Sequence, residues 1–154
     1  MLDELRELYQ EVILDHGRHP RNFGSLEGCN HMAHGHNPMC GDTLVVYLKV
    51  GENRVIEGAT FKGQGCAISV ASASMMTDIL MGKTAEEAET LFHAFHEMCT
   101  RDDAPLPEGV DEDALERLQV LSGVREFPVR VKCATLAWHT MDAAMQGKEE
   151  ISTE

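Results

Sequence analysis

Leu5, Leu8, Tyr9, Val12 and Ile13 recur at i, i+3 and i+4, so residues 3–16 are predicted to form an amphipathic helix. Gly17, Pro20 and Gly24 end it, and residues 17–39, rich in Gly, His and Asn, read as a connection. From residue 43 to 50 the chain turns β-branched and aromatic. Gly51-Glu52-Asn53 is a turn signal and residues 54–62 are strand-like again, which predicts a β-hairpin. Gly63-Gln64-Gly65 breaks the second strand. Cys66 opens a segment dense in Ala, Ser and Met, where Ile68, Ala71, Met75 and Ile79 share one helical face and Gly82 is the stop. Thr84 and Glu87 have the spacing of a capping box and predict a helix over 85–99. Pro105, Pro107 and Gly109 interrupt residues 100–110. Asp111 is placed to cap a further helix, with Val110 and Leu115 spaced as a hydrophobic staple. Residues 127–132 read as a short third strand, Cys133 as the opening of a last helix over 134–145, and residues 148–154 as a frayed polar tail.

Strands adjacent in sequence, with helices grouped after them, indicate an α+β chain rather than a doubly wound parallel sheet. A length of 154 residues fits one domain able to bury its own core. Apolar residues make up 43%, too many for a disordered acidic tail, and no run reaches the roughly eighteen consecutive apolar residues of a membrane span. The N-terminus, Met1-Leu2-Asp3-Glu4-Leu5-Arg6-Glu7, is acidic and amphipathic, so no secretory signal is expected and a cytoplasmic location is. The formal net charge of −13 would repel a phosphate backbone, which argues against nucleic acid as a partner.

Five cysteines, an odd number without the spacing of a small secreted scaffold, point away from a disulfide framework and toward metal or thiol chemistry. Three share a setting. Cys40 lies in Asn37-Pro38-Met39-Cys40-Gly41-Asp42; Cys66 follows Gly63-Gln64-Gly65 and starts a helix; Cys133 is expected to start another. A helix N-terminus favours thiolate, the form that binds metal or attacks sulfur. Gly41 and Gly65 leave space beside two of the sulfurs. Asp42, two residues after Cys40, would point to the same side in an extended segment. Three thiolates and one carboxylate would complete a tetrahedral zinc site or could hold an iron–sulfur cluster. The competing reading is three unrelated buried cysteines filling core space. Cys99, beside Phe92, Phe95 and Met98, reads as a buried structural thiol. Cys29, near His31, His34 and His36, has no fixed geometry for a metal. His93 and His96, one turn apart, read as a solvated face. No nucleophile elbow, P-loop or dinucleotide fingerprint is present.

Four stretches carry a family resemblance. They are Asp15-His16-Gly17-Arg18-His19-Pro20-Arg21-Asn22, Asn37 to Asp42, Gly63-Gln64-Gly65-Cys66-Ala67-Ile68-Ser69, and Lys132-Cys133-Ala134-Thr135-Leu136-Ala137-Trp138. On these the chain resembles the U-type iron–sulfur cluster assembly proteins, nearest to their SufU branch. Lys132 stands where IscU-type scaffolds carry His, and the segment between Cys66 and Cys133 is longer than theirs; both departures match SufU. The chaperone-docking run of IscU proteins is reduced to Phe127-Pro128-Val129-Arg130. The resemblance implies a SufE/NifU-like α+β fold, a small antiparallel three-stranded sheet with about five helices packed on it. It implies one assembly domain over 1–147 followed by the 148–154 tail. It also implies a metal site of Cys40, Asp42, Cys66 and Cys133 holding zinc, with Cys40 as sulfur acceptor and Arg130 assisting.

The function implied first is that of a zinc-dependent sulfurtransferase. It would take persulfide sulfur from a SufS-type cysteine desulfurase and pass it to a downstream SUF scaffold or apoproteins. The alternative is a scaffold on which Cys40, Cys66 and Cys133 hold a [2Fe–2S] cluster for transfer. A zinc-stabilised module with no transfer role ranks third, because a carboxylate is an unusual ligand for a closed structural site.

Overall fold

The computed structural model describes residues 2–101, 103 and 105–152. The side chain of Leu5 and tail residues 153 and 154 lie outside the described part. Helix α1 (Leu2–Arg18) is followed by strands β1 (His31–Asn37), β2 (Asp42–Val50) and β3 (Ile56–Gln64). Helices α2 (Ala67–Leu80), α3 (Ala85–Thr100) and α4 (Glu112–Leu118) come next, then a 3₁₀ segment Gln119–Glu126, helix α5 (Pro128–Met145) and strand β4 (Glu150–Ser152). Over the described residues the chain is therefore α+β with five α-helices, and its sheet is mixed.

The sheet runs β3-β2-β1-β4. β2 is central and carries the β-branched and aliphatic run: Leu44, Val46 and Leu48 have no exposed surface. It pairs antiparallel with β3, as the hairpin pattern predicted, and antiparallel with β1, with Asn37 opposite Asp42 at the end of the ladder. β1 falls inside the stretch read as a connection. Its inward positions are Ala33, Gly35 and Asn37, small or polar, so no apolar alternation marks it. The third antiparallel strand is thus residues 31–37 rather than 127–132. The tail is not frayed at residues 150–152, where β4 pairs parallel with β1, Gly35 opposite Ile151.

The segment 127–132 is corrected as well. Pro128 occupies the first turn of α5, a position where its fixed φ and missing N–H cost nothing. The β-branched Val129 and Val131 that suggested a strand lie within that helix. Cys133 consequently sits in the second turn of α5 instead of opening it.

The helix signals hold elsewhere. Cys66 is the N-cap of α2 and Asp111 that of α4. Thr84 and Glu87 form the reciprocal capping box of α3, with bonds of 2.9 and 3.1 Å. Helices α2 and α5 pack together and cover one face of the sheet. Ser72 Oγ donates to the Ala134 carbonyl at 2.5 Å, and Trp138, fully buried, lies 5.1 Å from Phe95 between ring centroids. The Asp15–Asn22 stretch ties α1 to α2. The His16 ring and the Arg21 N–H both bond Ser74 Oγ, at 2.7 and 2.8 Å, and Asn22 Nδ2 donates to Thr77 Oγ1 at 3.2 Å. Of the apolar positions predicted on α1, Tyr9, Val12 and Ile13 are half-buried and Leu8 is exposed. No helix among the described residues is long and apolar enough to cross a membrane.

At Gly35 the helix α5 lies close against the sheet. A Cβ there would run into the Thr140 hydroxyl and come within 3.2 Å of Leu136 Cδ1. Gly35→Val should therefore lower the unfolding free energy by about 1–3 kcal/mol, the cost typical of overpacking, as read by urea denaturation. A midpoint equal to wild type would show that β1 and α5 are not in this register.

Candidate metal centre

Asp42, the first residue of β2, has no exposed surface. Both its oxygens are held. Oδ1 accepts the Cys66 backbone N–H at 2.9 Å and Oδ2 accepts Asn37 Nδ2 at 3.2 Å. The same Asn37 amide reaches Cys133 Sγ at 3.6 Å. Gly65 makes this cradle possible, since a Cβ there would lie 2.6 Å from Asp42 Oδ1.

Cys40 lies in the turn between β1 and β2. Its proximity to Asp42 comes from that turn, where Gly41 takes φ +71°, and not from strand alternation. Cys133 reaches the same point from α5, its Sγ 3.1 Å from Cys40 Sγ. Ligand atoms of Cys40, Asp42 and Cys133 all lie within 4.8 Å of one another, the one such His/Cys/Asp/Glu group among the described residues. Cys66 stands beside this group rather than in it. Its sulfur accepts the Ser69 N–H at 3.5 Å, and its thiol faces Cys133. Cys40 is the exposed member, Cys66 is half-buried and Cys133 is buried. All three cysteines line one cleft of about 490 Å³ with Phe127, Val129 and Arg130. The Arg130 guanidinium sits 5.5 Å from the Phe127 ring centroid and forms no ion pair among the described residues.

Only Cys66 has the expected helix-start setting. Burial pushes the Cys133 thiol up, and the neighbouring Cys40 and Cys66 side chains push it further, so without a cation it is held protonated. A fully buried carboxylate with no cationic side chain paired to it among the described residues, facing converging thiols, fits a divalent cation. The ion would balance the buried charge and bring the thiols to thiolate. Asn37, which links two of the donors, was not singled out as a site residue. Its signal was its place at the head of the Cys40 motif.

The remaining candidates separate from this point. Cys99 is buried in the core, and burial raises its thiol to about 12. Cys29 is half-buried ahead of β1. His34 and His36 lie on the exposed side of β1, and His93 is exposed and near Glu89 at 3.7 Å. His96 departs from the solvated-face reading, since it is half-buried and faces His139 at 5.7 Å between ring centroids.

Two outcomes follow from this geometry. Gly65→Ala should weaken metal affinity by about 10–100-fold with the fold intact, as a displaced supporting group does, in competition with a chromophoric chelator. Unchanged affinity would remove Asp42 from the ligand set. In native protein at pH 8, iodoacetamide should label Cys40 and spare Cys99, whose thiol is both buried and protonated; peptide mass spectrometry reads this, and the reverse order would contradict the placement.

The NifU-like N terminal domain family matches residues 8–134. The chain is 39% identical over 145 residues to the iron–sulfur cluster assembly scaffold protein IscU of Streptococcus pyogenes, covering 94% of this chain and 87% of that protein. It is 39% identical over 146 residues to the zinc-dependent sulfurtransferase SufU of Bacillus subtilis, covering 95% and 94%. Its fold matches the crystal structure of the N-terminal part of a nitrogen-fixing NifU-like protein of Brucella abortus. That match has a TM-score of 0.77 at 25% identity and covers 90% and 92% of the two chains.

Proposed function

The chain belongs to the NifU-like N-terminal domain family, and from that premise we propose that it is a zinc-dependent sulfur acceptor in iron–sulfur cluster assembly, served by a SufS-type cysteine desulfurase. The observation that carries this reading is that one donor thiol, Cys40, is exposed at a turn while Asp42 and Cys133 behind it are buried and Cys66 beside them is half-buried. A sulfur acceptor needs a nucleophile within reach of a partner's persulfide and a fixed set of groups behind it.

Cys40, Asp42, Cys66 and Cys133 would hold the zinc ion. When bound, it supplies positive charge that keeps the cysteines as thiolates without redox chemistry of its own. In the transfer, the Cys40 thiolate attacks the terminal sulfur of the desulfurase persulfide. A sulfur–sulfur bond forms to Cys40 as the bond within the partner's persulfide breaks, and the partner's cysteine leaves as thiolate. The proton of the persulfide, where present, stays on the transferred sulfur, and no net oxidation occurs. Asp42 and Asn37 orient the donor set. Arg130, which lines the same cleft and has no carboxylate partner among the described residues, would meet the negative charge of the arriving persulfide. Lys132, at the position of the IscU histidine, borders a different cavity and offers no ligand.

Cys40→Ser is expected to abolish both stimulation of a SufS-type desulfurase and the persulfide trapped on this chain, as read by turnover and intact-protein mass spectrometry. Cys29→Ser and Cys99→Ser should leave both in place. Full turnover with Cys40→Ser, together with a stable [2Fe–2S] absorbance on the wild type, would establish the scaffold reading instead.

A further inference from the structure

A second cavity, of about 460 Å³, lies beside α5 with Lys132 on its wall, whereas the next residue, Cys133, lines the metal-centre cleft. Pro128, in the first turn of the helix, borders both. The wall of the second cavity has an apolar side built on Pro128, Val131 and Ile151, and its polar side combines hydroxyls of Thr100, Thr135 and Ser152 with cationic and imidazole groups. Lys132 and Arg125 bring two positive charges, His96 and His139 bring two imidazoles, and no Asp or Glu is among the described residues lining it. In a chain of net charge −13, a cavity lined by two cations and no described carboxylate departs from the overall charge balance.

Neither cation is paired with a carboxylate among the described residues. Arg125 donates through Nε and Nη2 to the Met98 carbonyl, at 3.2 and 2.6 Å, which fixes the guanidinium without cancelling its charge. Lys132 is half-buried and pairs with no carboxylate among the described residues. Holding two charged heads against an apolar wall costs solvation that a bound counter-charge would offset. Burial, and then His96, keep the His139 ring below its usual range. At neutral pH that ring is an N–H donor rather than a third charge.

We propose that this cavity binds a small organic anion, an apolar body bearing a phosphate or carboxylate group, with the oxygens on Lys132 and Arg125 and the body against Pro128 and Val131. The volume is within the range of small-molecule sites, and an apolar wall with a few convergent polar groups is their usual composition. None of these residues is a donor at the metal centre, so the proposal stands independently of the zinc reading.

The test is an NMR titration of the zinc-loaded, ¹⁵N-labelled protein with phenyl phosphate, benzoate and the neutral benzyl alcohol at fixed ionic strength. Saturable shifts at Val131, Lys132 and His139 are expected with one or both anions, and which anion binds tighter identifies the head group. Lys132→Gln should weaken that binding about tenfold or more. Lys49→Gln, the same charge change on an exposed β2 residue, should leave it unchanged. Equal response to benzyl alcohol, no saturation, or wild-type affinity in Lys132→Gln would overturn the proposal.

Discussion

A carboxylate with no exposed surface must find its charge balance inside the protein, and Asp42 does so by gathering three separate parts of the chain. It accepts the backbone N–H of Cys66 at the start of α2 and the Asn37 amide from β1, and that amide also reaches Cys133 of α5. Hydrogen bonds to an ionised acceptor are among the stronger ones available to a folded chain. They do not remove the cost of a buried charge without a counter-ion. The hydrogen bonds thus satisfy Asp42 in part, and a cation held by the converging donors would supply the rest.

The rest of the architecture delivers those parts to that point. Asn37 and Asp42 face each other because β1 and β2 pair to the end of their ladder, and the intervening turn exposes Cys40. Cys66 arrives because β3 runs directly into α2, with Gly65 leaving room for the carboxylate. Cys133 arrives because α5 lies tightly on β1, at Gly35, and is anchored by Trp138 in the core. A centre with an exposed thiol in front of a buried carboxylate and a buried thiol suits transfer: the accessible thiol can meet a partner while the others keep the arrangement.

Much of this was legible in the chain, for identifiable reasons. The hairpin, the capping box at Thr84 and the caps at Cys66 and Asp111 are local signals, and local signals survived tertiary packing. Strand β1 was not legible, because its buried positions are Ala33, Gly35 and Asn37, and a period-2 pattern needs apolar residues to be visible. Strand β4 is three polar-flanked residues whose pairing depends on β1. The 127–132 segment misleads because Phe127, Val129 and Val131 have strand propensity, whereas Pro128 is the first-turn residue of a helix. That misreading also gave Cys133 a helix-start environment it does not have. The convergence of Cys40, Asp42 and Cys133 was nonetheless legible through motif and residue type, whereas the place of Cys66 beside them was not. The role of Asn37 was not legible either, because it rests on the pairing of β1 with β2, which was itself unreadable, and on a contact with Cys133, which is distant in sequence.

The account stands or falls on what surrounds the ion. X-ray absorption at the zinc edge of the aerobically purified protein measures this directly. The account predicts one zinc per chain with three sulfurs at about 2.3 Å and one oxygen at about 2.0–2.2 Å. A shell with one sulfur or none, or protein purified without metal, would contradict it.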